Sequence, residues 1–366
     1  MVKKKKHLAS MKIRKKEVLD SIKSLGTAVY SQLLAKDFPY VEMPVRSISN
    51  IRYDKRLRQY VLGDKTIRRT SRNIRHIRPF TQLVWLANMA RQLSQQGRTS
   101  TLRDMYYMAQ AYDIDFTDQA ESDGIITDLE TVTRFAREDF SIFPEERSAI
   151  YGNLTIEYTV PKYEGKQLNL TVHPDGVIIG PALSSAEFVD TDAEMVICIE
   201  KGAMFTRFLE EEVHKKFKAV VIHTAGQAPR ATRHIIHRLN DELKLPVFVF
   251  CDADPWGMHI AQVIISGSAN AAHLKELTTP DAKWSGVWAS DILNYKLPTV
   301  QMNELDVKRL RELEKDPRYK ESLWQREIEV FHKIHKKAEQ EAFSRYGLTT
   351  IVDEYLPKRL EEMKSY

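Results

Sequence analysis

Three short apolar runs restrict what this chain can fold into more than any other feature: EMVICIE (194–200), FKAVVIHTA (217–225) and PVFVFCDAD (246–254). Strands covered on both faces read as near-continuous Val/Ile/Phe runs, not as apolar/polar alternation. About fifteen to twenty residues of helical character separate each run from the next, so the spacing predicts a βαβαβ unit with a parallel sheet. In such sheets functional groups gather beyond the carboxyl ends of the strands. Glu200 closes the first run, and Asp252 and Asp254 close the third. Carboxylates at i and i+2 in an extended segment point the same way, and Glu200 is placed to face them from a neighbouring strand. Three hard oxygen donors suit Mg²⁺ whose shell a phosphate completes. Any one acid at a strand end is as readily a helix cap; the conjunction of three argues for a site.

At 366 residues the chain exceeds what one hydrophobic core usually serves, so two or three domains are expected. The net charge of +5 hides an asymmetry: residues 1–79 hold 21 Lys+Arg against 6 Asp+Glu, a surplus of +15, and the remainder sums to −10. The blocks KKKK (Lys3 to Lys6), YDKRLRQY and TIRRTSRNIRHIR mix cations with Tyr and Ile, as on a surface that neutralises phosphates. No apolar run reaches about 18 residues and no apolar leader follows MVKKKKHLAS, so a soluble protein that is neither secreted nor in a membrane is expected. Two cysteines, Cys198 and Cys251, build neither a disulfide framework nor a zinc ribbon and read as small buried residues.

Helical spacing over residues 12–36 ends near Pro39 and Pro44. From about residue 80, PFTQLVWLANMARQLSQQ, TLRDMYYMAQAY and TDLETVTRFARE read as three helices, the third after the ESDG break. They fit a helix-turn-helix unit, and a generic helical bundle almost as well. Thr101 three residues before Asp104 starts the second as a capping box. Within it Arg103 and Tyr107 lie at i and i+4 and share a face, while Tyr106 points elsewhere. AIYGNLTIEYTV, GKQLNLTVHP and GVIIGPAL then alternate around turn signals as a small antiparallel element, either the wing of a winged helix or a separate sheet. SDILNYKLP (290–298) reads as a late strand and turn, and 303–363 as charged helices. Arg230 and Arg233 in AGQAPRATRH stand at a helix N-terminus, where DNA-phosphate contacts and surface salt bridges are about equally expected.

The acid closing one strand, the D-x-D closing another and the following PWG resemble the Toprim domain of topoisomerases, primases and related nucleases. Adding the basic N-terminus, R-[DE]-x-[FY]-Y, the β segment, Glu-Lys, AGQAPRATR and D-x-D-P-x-G, the chain resembles the A subunit of type IIB topoisomerases and its relative, the meiotic double-strand-break transesterase. Its length and C-terminal helices favour the archaeal-type subunit. The resemblance implies a mixed α/β fold: a basic extension (1–79), a winged-helix (CAP-like) domain carrying the nucleophile (80–150), a β linker (151–190) and a Rossmann-like Toprim domain with C-terminal helices (191–366). It implies Tyr107 as nucleophile with Arg103 beside it, Mg²⁺ on Glu200, Asp252 and Asp254, and Arg230 and Arg233 near DNA. It further implies double-stranded DNA as substrate, a homodimer, and a GHKL-class B subunit that binds ATP and completes an A2B2 assembly. The chain has no G-x-x-x-x-G-K-[ST] phosphate loop of its own. The alternatives are a Toprim nuclease, in which water attacks in place of the tyrosine, a meiotic-type double-strand-break transesterase, and a non-catalytic DNA-binding protein with a decayed site.

Overall fold

The computed structural model describes residues 2–145 and 147–364; the side chains of residues 2–13, Lys3 to Lys6 among them, lie outside the described set. The first unit comprises helix α1 (Val2–Leu34), strands β1 (Tyr40–Pro44), β2 (Ile51–Asp54), β3 (Gln59–Leu62) and β4 (Thr66–Thr70), and helix α2 (Ile74–Gln96). Strand β5 (Ser100–Thr101), helices α3 (Leu102–Gln110) and α4 (Gln119–Thr133) and strand β6 (Ile142–Phe143) complete it. Strands β1 and β4 form one antiparallel pair and β2 and β3 another, while the short β5 and β6 run parallel. One apolar core joins Val18, Ile22 and Val29 of α1, Val41 and Met43 of β1, Leu83 and Leu86 of α2, Met105 of α3 and Ile126 and Leu129 of α4.

Segment 1–79, expected as an extension, is therefore built into the same core as the helices that follow. Its cations are partly consumed there: Arg46 and Arg69 converge on the buried Asp128 at 2.8 and 3.0 Å. Charge counting sees the surplus of cations but not which acids fold back onto them. A second departure concerns α4, which starts at Gln119 and runs through Glu121, Ser122, Asp123 and Gly124, the stretch expected to break it. Asp118 accepts from the Glu121 N–H at 2.8 Å and caps the helix before that stretch.

The second unit is built on a six-stranded sheet. Its elements are strands β7 (Ala149–Tyr151), β8 (Leu154–Glu157), β9 (Gln167–Asn169) and β10 (Val177–Ile178), helix α5 (Pro181–Ser184) and strand β11 (Glu187–Thr191). Next come β12 (Met195–Ile199), α6 (Gly202–Glu210), α7 (Val213–Lys216), β13 (Ala219–His223), α8 (Arg230–Leu243), β14 (Val247–Phe250), α9 (Pro255–Ser266) and β15 (Lys283–Gly286). Helices α10 (Ala289–Asn294), α11 (Glu304–Lys315), α12 (Ser322–Ile334) and α13 (Leu356–Lys364) finish it. The sheet order is β10-β7-β13-β12-β14-β15, parallel from β13 to β15, with β7 antiparallel to β13 and β10, at the edge, antiparallel to β7. The three apolar runs are thus the three adjacent central strands, as expected, and their side chains are buried on both faces.

The stretch expected as a β linker, 151–190, divides between two sheets instead of forming one. Strands β7 and β10 extend the main sheet, and β8, β9 and β11 make a separate three-stranded antiparallel sheet. The stretch 290–298 is mostly helix α10, not a strand, because Asp291 accepts from the Trp288 N–H at 2.8 Å and caps a helical turn. Phe331, Phe343, Ile351, Val352 and Tyr355 from the C-terminal segment join the main core. Cys198 and Cys251 are free and buried, as expected.

Candidate active site

The capping box starts α3 as the sequence indicates: Thr101 Oγ1 accepts from the Asp104 N–H at 3.0 Å and Asp104 Oδ2 accepts from the Thr101 N–H at 3.2 Å. Asp104 is thereby a cap. Met105 and Ala109, four apart, bury one face of this short helix. Arg103 and Tyr107, also four apart, occupy an outward face, and Tyr107 is 53% exposed. The Arg103 guanidinium lies 3.9 Å from Glu145, both ends largely in solvent. Such a pair holds its partners weakly. Tyr106 is half-buried and meets the Tyr107 ring edge-on, with centroids 5.3 Å apart.

The carboxylates are fixed quite differently. Parallel register pairs Ile199 of β12 with Phe250 of β14, so the chain leaves both strands at the same level of the sheet. Glu200 Oε2 there accepts the Asp252 main-chain N–H at 3.1 Å. Asp252 is 5% exposed; its Oδ1 accepts the Gln340 N–H at 2.9 Å and its Oδ2 lies 3.0 Å from Lys201 Nζ. Asp254 caps α9 by accepting the Gly257 N–H at 2.6 Å. A Cβ at Gly257 would lie 2.3 Å from the Asp252 carbonyl oxygen, which explains the glycine of DPWG.

Burial first, and then the neighbouring Asp252 charge, pushes the Glu200 carboxyl up to about 7. Burial also raises Asp252 and Asp254 above the usual carboxylate range. The Lys201 ammonium is favoured in spite of its burial by its hydrogen bond to Asp252. These acids are crowded, desolvated and under-neutralised. Hard oxygen donors in that condition fit a divalent cation.

Part of this cluster escapes the sequence reading. Main-chain bonds between Ala253 and Ala338, at 2.9 and 3.1 Å, lay segment 336–341 along the D-x-D. It delivers the Gln340 N–H to Asp252 and sets Glu339 and Glu341 against Lys201. Among the described residues, Asp252, Glu339 and Glu341 are the trio whose carboxylate oxygens approach within 4.8 Å of one another. Glu200 and Asp254 stand outside that trio. The alternating acids of KAEQE (337–341) are the only sequence trace of this arrangement.

Arg230 and Arg233 are not presented at the surface. The Arg230 side chain is 10% exposed and pairs with Glu130 of α4, itself fully buried. His273 reaches the other Glu130 oxygen at 3.2 Å, and the Arg137 N–H donates to Glu130 at 2.8 Å. Burial alone would raise the Glu130 carboxyl; His273 and Arg230 hold it down at about 2. Arg233 is 6% exposed, and its burial beside Arg230 lowers it to about 10. Both arginines belong to the contact between the two units. Their face of α8 turns toward another domain, which helical spacing does not distinguish from solvent.

The sequence profile of the Toprim domain shared by the topoisomerase 6 A-subunit and Spo11 matches residues 195–360, and that of the type IIB DNA topoisomerase family matches residues 78–142. Full-length relatives agree. The A-subunit of a type 2 DNA topoisomerase 6 from Methanothermobacter thermautotrophicus is 43% identical over 354 residues, 96% of this chain and 99% of that one. Its counterpart in Halobacterium salinarum is 37% identical over 95% of this chain and 96% of its own length. That of Archaeoglobus fulgidus is 34% identical over 96% and 99%. With the Toprim sheet, its acidic cluster and the tyrosine helix in place, the chain belongs to the family of type 2 DNA topoisomerase 6 A-subunits.

Proposed function

We propose that this chain cleaves and religates double-stranded DNA as the A-subunit of an ATP-dependent type IIB topoisomerase, with Tyr107 as nucleophile. The observation that carries the reading is the solvent-facing Tyr107 beside Arg103, in a chain whose other unit holds under-neutralised carboxylates, Asp252 buried and Glu200 and Asp254 partly buried. Tyr107 Oη attacks the phosphorus, the bond to the 3′ oxygen breaks, and the 5′ phosphate is left esterified to the tyrosine. The phenolic proton is lost and the 3′ oxygen gains one. The ester conserves the phosphodiester's energy, so reversal reseals the strand. Arg103 offers a planar, bidentate contact to the same phosphate. Glu200, Asp252 and Asp254 would hold Mg²⁺, which supplies Lewis-acid stabilisation of charge on the phosphate and the leaving oxygen.

A phenol of pKa near 10 needs such surroundings to react at neutral pH. One tyrosine breaks one strand, so a double-strand break takes two copies of the chain, arranged with the two-fold symmetry of the duplex. Among the described residues, no hydrogen bond or ion pair joins Tyr107 or Arg103 to the carboxylates, which leaves each half of the chemistry open to a partner copy. Strand passage then draws on ATP bound by a B subunit of the GHKL class in an A2B2 assembly. None of the described helices is long and apolar enough to cross a membrane. The expected place of work is the cytoplasmic nucleoid, where the double-stranded substrate lies.

The decisive experiment traps the covalent complex of the A and B subunits on supercoiled DNA with Mg²⁺ and ATP, then maps the labelled residue. Label is expected on Tyr107; Tyr107→Phe abolishes the adduct with DNA binding intact, and Tyr106→Phe keeps most of it. Label on another residue, or free 5′ phosphates on cut DNA as a water-using nuclease leaves them, would overturn the reading.

A further inference from the structure

Lys201 directly follows Glu200 at the N-cap of α6, yet its side chain caps nothing. Its ammonium instead lies 3.0 Å from Asp252 Oδ2, 3.3 Å from Glu341 Oε2 and in contact with Glu339. An ammonium carries three N–H donors and no acceptor, and three carboxylates meet it here. Their oxygens lie within 4.8 Å of one another, so the ammonium sits where hard oxygens converge on a cation.

The surroundings are graded. The Asp252 side chain is 7% exposed, while those of Glu339 and Glu341 are 52% and 40% exposed, with Lys201 between at 28%. Asp252 is also pinned through Oδ1 by the Gln340 N–H. A flexible lysine stem is free to swing outward toward the exposed pair; Asp252 has no comparable movement. One positive charge against three acids also leaves the cluster under-neutralised, which favours exchange for a double charge.

We propose that Lys201 is the resident counter-ion of Asp252: its ammonium holds Oδ2 while the site is empty, and a divalent cation displaces it onto Glu339 and Glu341. Lys201 is then a positioning residue that competes with the metal and spares the empty cluster from repulsion. The inference rests on the reading of Asp252 as a metal ligand. A lysine that merely oriented Asp252 would act with the opposite sign, because its removal would weaken metal binding.

The test is calorimetric titration of the full-length chain with MnCl₂, alongside thermal melts in chelator. Lys201→Met should bind Mn²⁺ about tenfold more tightly, equivalent to about 1.4 kcal/mol, and melt lower than wild type in chelator, recovering when Mn²⁺ is added. Lys201→Arg, which keeps the charge, should bind Mn²⁺ much as wild type does. Lys201→Gln carries the same expectation as Lys201→Met and replaces it should that variant not fold. Equal or weaker Mn²⁺ binding by the uncharged variants, with binding abolished in Asp252→Asn, overturns the inference alone. Undiminished binding in Asp252→Asn overturns the ligand assignment and the inference with it.

Discussion

Two carboxylates in this molecule, Glu130 fully buried and Glu200 partly so, meet opposite electrostatic fates. Glu130, at the contact between the units, is fully buried and saturated by Arg230, His273 and the Arg137 N–H, and its carboxyl is held down at about 2. Glu200, at the end of β12, shares its corner with Asp252 and Asp254, and its carboxyl is pushed up to about 7. Burial opposes the charge in both places; only the neighbours differ. A saturated buried acid is architecture, since nothing further is needed to stabilise its charge. An unsaturated one is unfavourable to the free protein and is relieved by a ligand of opposite sign. The contrast separates a functional charge cluster from a structural one more sharply than residue type or burial does.

The largest effect expected from this contrast is on catalysis. Glu200→Gln should lower DNA cleavage at least about a thousandfold, since under the proposed mechanism it removes a ligand of the cation that stabilises transition-state charge. In chelator the same variant should melt at or above the wild-type temperature, because an uncompensated charge is lost. A variant that cleaved normally, or that unfolded easily, would erase the distinction between the two acids.

Glu130→Gln should show the reverse pattern. It leaves Arg230 and His273 around an uncharged group and should cost about 3–5 kcal/mol in urea unfolding, as broken buried pairs do. Cleavage by the folded fraction at low temperature should persist. A change below about 0.5 kcal/mol would place Glu130 among ordinary surface acids.

The smallest effect is a difference in pH dependence. The Glu200 carboxyl is raised in the folded state, so its contribution to stability is present below about 4.5 and is lost as pH rises through about 7. Glu130 is depressed, so its contribution is present above 4.5 and is lost as pH falls toward about 2. In chelator, the melting advantage of Glu200→Gln over wild type should therefore grow between pH 4.5 and 7 and then level off. The deficit of Glu130→Gln should shrink below pH 4.5. Parallel curves for the two variants would refute the opposite signs.

What the sequence discloses follows from which interactions are local. The parallel strands are legible because burial on both faces leaves unbroken apolar runs, and the acids that end them are placed by strand geometry alone. The α3 capping box is likewise an affair of four residues. The start of α4 is less visible: Asp118 and Glu121 cap the helix before a glycine-bearing stretch that resembles a break. Lys201 and Glu339 are neighbours only because Ala253 pairs with Ala338 across the fold, a relation no periodicity encodes. Arg230 and Arg233 are misplaced for the same reason. A helix face with two arginines looks like a surface until the buried glutamate opposite is known.

The pairing of Ala253 with Ala338 also has a consequence in time. Translation delivers Tyr107 first, then Glu200, Asp252 and Asp254, and only much later the strand-like segment that supplies the Gln340 N–H, Glu339 and Glu341. A growing chain therefore carries the tyrosine and the D-x-D while residues 255–335 are made, before the segment that closes around Asp252 exists. The main-chain group that pins Asp252 is thus made after the acid that it pins.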